Sequence, residues 1–186
     1  MSKPGQNHFS GFFLSLIAAA MWGMLPVALK ELLSGMDAST IVWFRFLVAG
    51  VVLLSWLSFR QEFPKLKAVS AGTRFFLLVA AAGLCSNYYL FSNSLNYVNG
   101  ETSEAVIQLT TLLLIFGGVI FYKESFVGIQ KMGTLLIVIG LLLFFNDRLT
   151  EFASLENSQT IGVLIVVAAA ITWTAYALLQ KQLLQS

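Results

Sequence analysis

Arg45 is the charged residue that lies well inside an apolar run, about five residues beyond Thr40, which is roughly 8 Å along a helix. An arginine in hydrocarbon is costly and is therefore a candidate functional group. Its paired N–H donors suit the carboxylate of a substrate. In the alternative interpretation, Arg45 snorkels to the outer interface or pairs with Asp37, Glu101 or Glu104 to fix helix packing.

Two tryptophans occupy equivalent positions in a repeated stretch. The segment from Gly11 to Leu33 returns as the segment from Gly162 to Leu184, and Trp22 aligns with Trp173. Equivalent residues at similar depth in two crossing helices could line a cavity from two sides and stack on an apolar or aromatic substrate. Core packing and an interfacial belt are the alternatives, but Trp22 lies near the middle of its run, which disfavours the belt.

Pro26 follows Trp22 by one helical turn and can kink the first helix, freeing backbone carbonyl groups. Such a kink suits a cavity wall or a gating element. A kink that is merely tolerated is the alternative.

Neutral polar side chains concentrate in the third and fourth apolar runs. They are too many to face lipid, so we expect them to point toward other helices or water. They supply hydrogen-bonding groups for a polar pathway, although interhelical bonds alone would explain half of them. The set is Ser86, Asn87, Tyr88, Tyr89, Ser92 and Asn93, together with Gln108, Thr110 and Thr111.

Composition places the chain in a lipid bilayer. With 58% apolar residues, 11% charged residues and a mean hydropathy of +0.81, it has too little polar surface to cover a soluble globule. The basic residues form no stripe, so no nucleic-acid partner is expected. One cysteine, Cys85, and one histidine, His8, offer little for a metal site or for catalysis. We therefore expect no metal, no cofactor and no enzyme activity.

Six apolar runs are long enough to cross a bilayer as helices. The predicted fold is an all-α polytopic membrane helix bundle. If the N-terminus is cytoplasmic, every loop lysine and arginine except Lys30 and Arg148 lies on that side, and the positive-inside rule favours this orientation. The runs cover residues 9–29, 38–59, 75–95, 105–122, 125–145 and 161–179.

The repeat divides the chain into two parts. Residues 1–146 form a first five-helix repeat, and residues 147–186 form an outer loop and the first helix of a second, incomplete repeat. With five spans in one unit, the repeated helix crosses in the opposite sense, as in an inverted repeat. A pair of such units needs roughly 300 residues, so we interpret the chain as a fragment of a ten-span protein. A six-span protein is the alternative.

Several short motifs follow one another in a characteristic order. They are Trp22-Gly23, Arg45-Phe46 with Ala49, Tyr88 through Tyr97, and Lys123-Glu124 followed by Gln130, Gly133 and Gly140. In this order and spacing they resemble the EamA family of the drug/metabolite transporter superfamily. That resemblance implies ten helices in two inverted repeats, cytoplasmic termini, and movement of small metabolites, often export of amino acids or related compounds. Where the family often has a proline in the fourth helix, this chain has Thr110-Thr111, which weakens the expectation of a kink.

The functional expectation is alternating access in the cytoplasmic membrane, with a substrate cavity walled by the first, third and fourth helices. The apolar runs contain no Asp, Glu or His, so exchange or export down a gradient is expected rather than proton coupling. A non-transporting scaffold or assembly subunit is one alternative. A half-transporter that acts only as a homodimer is another.

Overall fold

The structure is a computed structural model that describes residues 8–61, 63, 70–146 and 158–185. Across these residues the chain forms helices and no strands, which confirms the predicted all-α fold. The helices are α1 (His8–Leu33), α2 (Ala38–Arg60), α3 (Ala71–Ser94), α4 (Gly100–Ile107), α5 (Leu109–Tyr122), α6 (Gly128–Phe145) and α7 (Ser158–Gln185).

Six helical segments in the described part of the chain are long and apolar enough to cross a membrane. Five of them are single helices, and the sixth, Gly100–Tyr122, joins α4 and α5. Their outward surfaces are apolar, as lipid-facing surfaces must be. The protein is therefore a multi-pass membrane protein.

Caps, rather than the ends of apolar runs, set where several helices begin. Asp37 accepts the backbone N–H of Thr40 at 3.0 Å at the start of α2. Ser70 caps α3, which begins at Ala71 rather than at residue 75 as the apolar run predicts. A side-chain acceptor at the N-cap satisfies a backbone N–H that the helix itself leaves unpaired.

α7 is the most enclosed helix of the bundle and packs against α3, α4 and α5. Val166, Ala169 and Ala170 on its inner face are fully buried. Glycines allow the close approach: a Cβ atom added to Gly117 of α5 would lie 2.7 Å from Cδ1 of Leu178. Small residues at such contacts are typical of helix packing in membranes.

Two small apolar clusters flank the turn between α3 and α4. Leu29, Ile41 and Leu95 join α1 and α2 to the end of α3. Val98 and its neighbours join that turn to α7. Both the end of α1 and the start of α7 lie at this turn, since Lys30 donates to the Val98 carbonyl and Gly162 packs against the Val98 side chain. α1 and α7 therefore run in opposite directions.

Candidate functional site

A cavity of about 430 Å³ lies between the spans, with walls from α1, α2, α3, α4, α5 and α7. Its lining is mixed, with aromatic side chains, two charged side chains and several neutral polar groups. Apart from Pro26, every residue predicted for the substrate pathway contributes to its wall. These residues are Trp22, Arg45, Asn87, Tyr88, Gln108, Thr111 and Trp173.

The two repeat-related tryptophans meet at this cavity. Their ring centroids lie 6.2 Å apart, with the planes at 78°, an edge-to-face contact. Trp173 also contacts Tyr176, at 5.5 Å between ring centroids. Trp22 remains 66% exposed, so the described residues cover only part of its side chain. Both tryptophans line the cavity, and a role for them in binding a substrate stays a prediction.

Arg45 is half-buried and lies over the ring of Tyr88, with its guanidinium carbon 4.6 Å from the ring centroid. Phe46 packs on the same ring at 5.3 Å between centroids. Within the described residues no carboxylate forms an ion pair with Arg45, so the predicted pairing with Asp37, Glu101 or Glu104 is not formed. A cation over an aromatic ring is held in place, but the N–H donors at its rim stay open to a ligand.

Asp37 has a different role, at the boundary of the membrane span. Its two carboxylate oxygens accept the hydroxyl of Thr40 at 2.6 Å and the backbone N–H of Thr40 at 3.0 Å. These hydrogen bonds hold the pKa of Asp37 below its ordinary value. Asp37 is therefore a helix cap and does not neutralise Arg45.

Asn87 has a structural contact as well as a place in the cavity wall. It is buried, and its Nδ2 donates to the carbonyl of Ala169 at 2.8 Å. Thr172 donates to the same carbonyl at 2.9 Å. The amide nitrogen thus ties α3 to α7, as the interhelical-bond alternative predicts for part of the polar set.

The polar residues of α3 do not all point inward. Asn87 and Ser92 are buried, whereas Ser86 and Tyr89 are exposed on other faces of the helix. Burial is thus seen for Asn87 and Ser92, while Tyr89 lies in the wall of a second pocket beside Asp37 and Asn93. Residues at successive positions project about 100° apart on a helix, so a run of polar residues cannot share one face.

The fourth span is interrupted by a tight turn at Gln108, beside the cavity. The N–H of Gln108 donates to Ala105 at 3.3 Å, and the N–H of Thr111 donates to Gln108 at 3.0 Å. The hydroxyl of Thr110 donates to the Ile107 carbonyl at 2.7 Å. Such i to i+3 bonding inside a helix is typical of a hinge. The threonine pair therefore accompanies an interruption of the helix that involves no proline.

Glu104 is the cavity residue that the sequence analysis left in a loop. The predicted span begins at residue 105, but α4 begins at Gly100, because the side chain of Asn99 accepts the N–H of Thr102 at 2.8 Å. Glu104 is then inside the span, half-buried and in the cavity wall. The apolar run from residue 105 holds no carboxylate, but the helical span begins earlier, at Gly100, and includes Glu104. The N-cap signal of Asn99 would have found it.

Pro26 lies outside the cavity. It is buried, and α1 continues beyond it to Leu33. A Cβ atom added to Gly100 would lie 3.1 Å from the Cβ of Pro26. Pro26 thus packs on the start of α4, at a joint between two helices. A part for it in gating stays a prediction.

Comparison with known proteins gives consistent matches. The sequence profile of the EamA-like transporter family matches residues 9–146. An uncharacterized transporter of Haemophilus influenzae is 42% identical over 180 residues, which cover 97% of this chain and 58% of that protein. The uncharacterized inner membrane transporter YhbE of Escherichia coli is 37% identical over 176 residues, 94% of this chain and 55% of YhbE.

A more distant relative carries a substrate in its name. The riboflavin transporter ImpX of Fusobacterium nucleatum is 28% identical over 185 residues, 97% of this chain and 61% of that protein. The chain thus spans a little more than half the length of the curated relatives it matches. No solved structure matches it significantly.

Proposed function

This chain belongs to the EamA-like transporter family, and from that premise we propose that it moves small metabolites across the cytoplasmic membrane by alternating access. The proposed direction is export. Amino acids or related compounds are the proposed substrates. The family and the named relatives are transporters rather than enzymes.

The observation that carries the proposal is the composition of the cavity wall. Arg45 offers open N–H donors for a carboxylate, and the pair of Trp22 and Trp173 offers an aromatic surface. An amino acid with an apolar or aromatic side chain presents both complementary groups. A cavity of about 430 Å³ is in the size range of small-molecule sites, roughly 300–1,000 Å³.

The turn at Gln108 supports alternating access as the mechanism. It lies in the cavity wall, so a change of angle between α4 and α5 would alter the cavity directly. Helices interrupted near a substrate site are typical of secondary transporters. We place the second unit of the transporter after residue 146, with α7 as its first helix and the N-terminus in the cytoplasm. A homodimer is the proposed assembly in which this chain would act by itself.

Flux measurements on variants of the cavity wall test the proposal. Trp22→Ala and Arg45→Gln would be compared with the unaltered chain for export of labelled amino acids and of riboflavin from cells. Arg45→Gln would remove a hydrogen bond between the charged guanidinium and the substrate carboxylate, which is worth about 1.5–3 kcal/mol. This corresponds to roughly a tenfold or greater loss of flux at low substrate concentration. Elution as a single species in detergent would show that each variant is folded.

Trp43→Ala is the matched control, because Trp43 is 58% exposed and does not line the cavity. Its flux should stay unchanged. If the cavity variants also transport normally, the proposed site is wrong. If the unaltered chain moves none of the compounds, the non-transporting scaffold becomes the better explanation.

A further inference from the structure

Glu104 brings a second charge into the cavity, and the described part of the chain gives it no cationic partner. It is half-buried in the wall of the same cavity as Arg45. The ion pair that the described residues do form joins Lys181 to Glu124. The guanidinium of Arg45 lies over Tyr88 instead of meeting the carboxylate.

The helices packed around α4 bring few other charges toward Glu104. α2 and α3 contribute Arg45 and Tyr88 to the cavity wall, and the lining residues of α1, α5 and α7 carry no charge. Lys30 of α1 donates to the Val98 carbonyl. Lys131 of α6 is exposed, with its Nζ 5.9 Å from the ring centroid of Phe126. Neither lysine lines the cavity.

A carboxylate in such a place has two ways to lose its charge. Ionised groups removed from water are costly unless a counter-charge or a proton neutralises them. Among the described residues the cavity wall offers Arg45 as its one other charge, and the Arg45 guanidinium lies over Tyr88, so a ligand in the cavity is the other source of a counter-charge. A proton and a cationic ligand group compete for the same oxygens, so only one can be held at a time.

We propose that Glu104 is the exchange group of this cavity, holding either a proton or the ammonium group of the substrate. When an ammonium group arrives, the carboxylic acid releases its proton to water, and the carboxylate forms an ion pair with the ammonium. When the substrate leaves, a proton from water on that side returns to the carboxylate. Export of one substrate ammonium group is then linked to entry of one proton.

This inference rests on the proposed transport function. It adds that the entry of protons would drive the export. It replaces the expectation of transport down a gradient, which depended on the absence of Asp, Glu and His from the apolar runs. Its test is a chemical reaction of Glu104 that does not require flux, so failure of the exchange role and failure of transport give different results.

Dicyclohexylcarbodiimide reacts with protonated carboxyl groups in apolar surroundings and is a direct probe of Glu104. The full chain in detergent would be labelled between pH 6 and pH 8, and the modified peptide would be identified by mass spectrometry. We expect labelling of Glu104 to fall as the pH rises, by up to about tenfold per pH unit once the group titrates. Glu104→Gln should remove this labelling, whereas Glu101→Gln, a change at an exposed residue of the same helix, should leave it intact.

Three small molecules that share a phenyl ring test the ammonium group and the carboxylate of the ligand separately. Phenethylamine carries the ammonium group alone, phenylpropionate the carboxylate alone, and phenylalanine both. Phenethylamine and phenylalanine should slow labelling of Glu104 several-fold, and phenylpropionate should not. Absence of labelling, equal labelling at all pH values, or no protection by either amine would each overturn the proposal. Labelling and protection that persist in a chain with no measurable flux would leave the exchange site in place and count against transport alone.

Discussion

α1 and α7 have related sequences, but the positions that are buried differ between the two helices. Gly162, Val166 and Ala169 of α7 are buried, whereas the equivalent residues of α1 are exposed. Near the other end the order reverses, since Leu29 of α1 is 1% exposed and its equivalent in α7, Gln180, is on the surface. A repeated sequence pattern thus specifies a helix and its tryptophan, but the neighbouring helices decide which face is packed.

The lysines of the two helices differ in the same way. Lys30 donates to a backbone carbonyl, that of Val98, at 3.4 Å. Lys181, its equivalent, forms an ion pair with Glu124 and lies 4.7 Å from the ring centroid of Tyr122. Tyr122 in turn donates its hydroxyl to the Leu178 carbonyl at 2.5 Å. α7 is therefore fastened to α5 by side chains, in addition to its packed face.

The largest effect is expected at the paired glycines. A Cβ atom added to Gly162 would lie 2.6 Å from Cγ1 of Val98 and 2.8 Å from Cβ of Tyr97, whereas one added to Gly11 meets nothing within 4 Å. Gly162→Leu should lower the stability by about 1–3 kcal/mol, since extra atoms in a packed site force its neighbours apart. Gly11→Leu should be neutral or slightly stabilising, because glycine is a poor helix former. Thermal unfolding in detergent would measure both, and equal effects would contradict the comparison.

A smaller effect is expected from the paired lysines. Lys181→Met removes the ion pair with Glu124. Because both side chains of this pair are partly exposed, the loss of stability should be about 0–1 kcal/mol. Lys30→Met removes a contact with an uncharged carbonyl. Unfolding at low and high salt separates the two variants. The loss of stability caused by Lys181→Met should shrink at high salt, whereas the loss caused by Lys30→Met should stay the same. A salt-independent Lys181→Met effect would show that the ion pair is not its source.

The smallest effect concerns the turn that follows α1. Asp37 caps α2, and its pKa is lowered by hydrogen bonds from Thr40. A group with a lowered folded-state pKa contributes stability above its unfolded value of about 3.9 and loses that contribution as the pH falls through the folded-state pKa. We therefore expect the first turn of α2 to lose protection from hydrogen exchange, relative to the intrinsic exchange rate, below about pH 4. The buried start of α7 should show no similar loss.

Asp37→Asn is the control for this effect, because asparagine caps helices as well as aspartate does but does not titrate in this range. Hydrogen exchange at α2 in that variant should not depend on pH beyond the intrinsic exchange rate. If the two proteins show the same acid response, a group other than Asp37 causes it.

Much of the candidate site could be predicted from residue types. Arg45 and Tyr88 are conspicuous in apolar runs, and the repeat brings Trp22 and Trp173 together as expected. Their part in transport stays a prediction. The side chains around the cavity were identifiable because polar or charged groups in a membrane span need a reason to be there.

Other features could not be read from composition. Glu104 was missed because the span was drawn from its first apolar residue, although the cap at Asn99 begins the helix earlier. Pro26 was placed in the pathway on its residue type, but its position depends on the approach of Gly100. The packing of α7 on α3 depends on contacts between residues far apart in the chain, which hydropathy does not encode.

The turn at Gln108 in the fourth span interrupts the helix without removing any backbone donor. A proline permanently lacks the N–H that a straight helix requires. Residues 108–111 keep all their N–H groups, and the Thr110 hydroxyl bound to the Ile107 carbonyl can be exchanged for another partner by a rotation about one side-chain bond. The interruption at Gln108 therefore removes no N–H group from the span, and the hydrogen bonds that hold it can re-form in a regular helix.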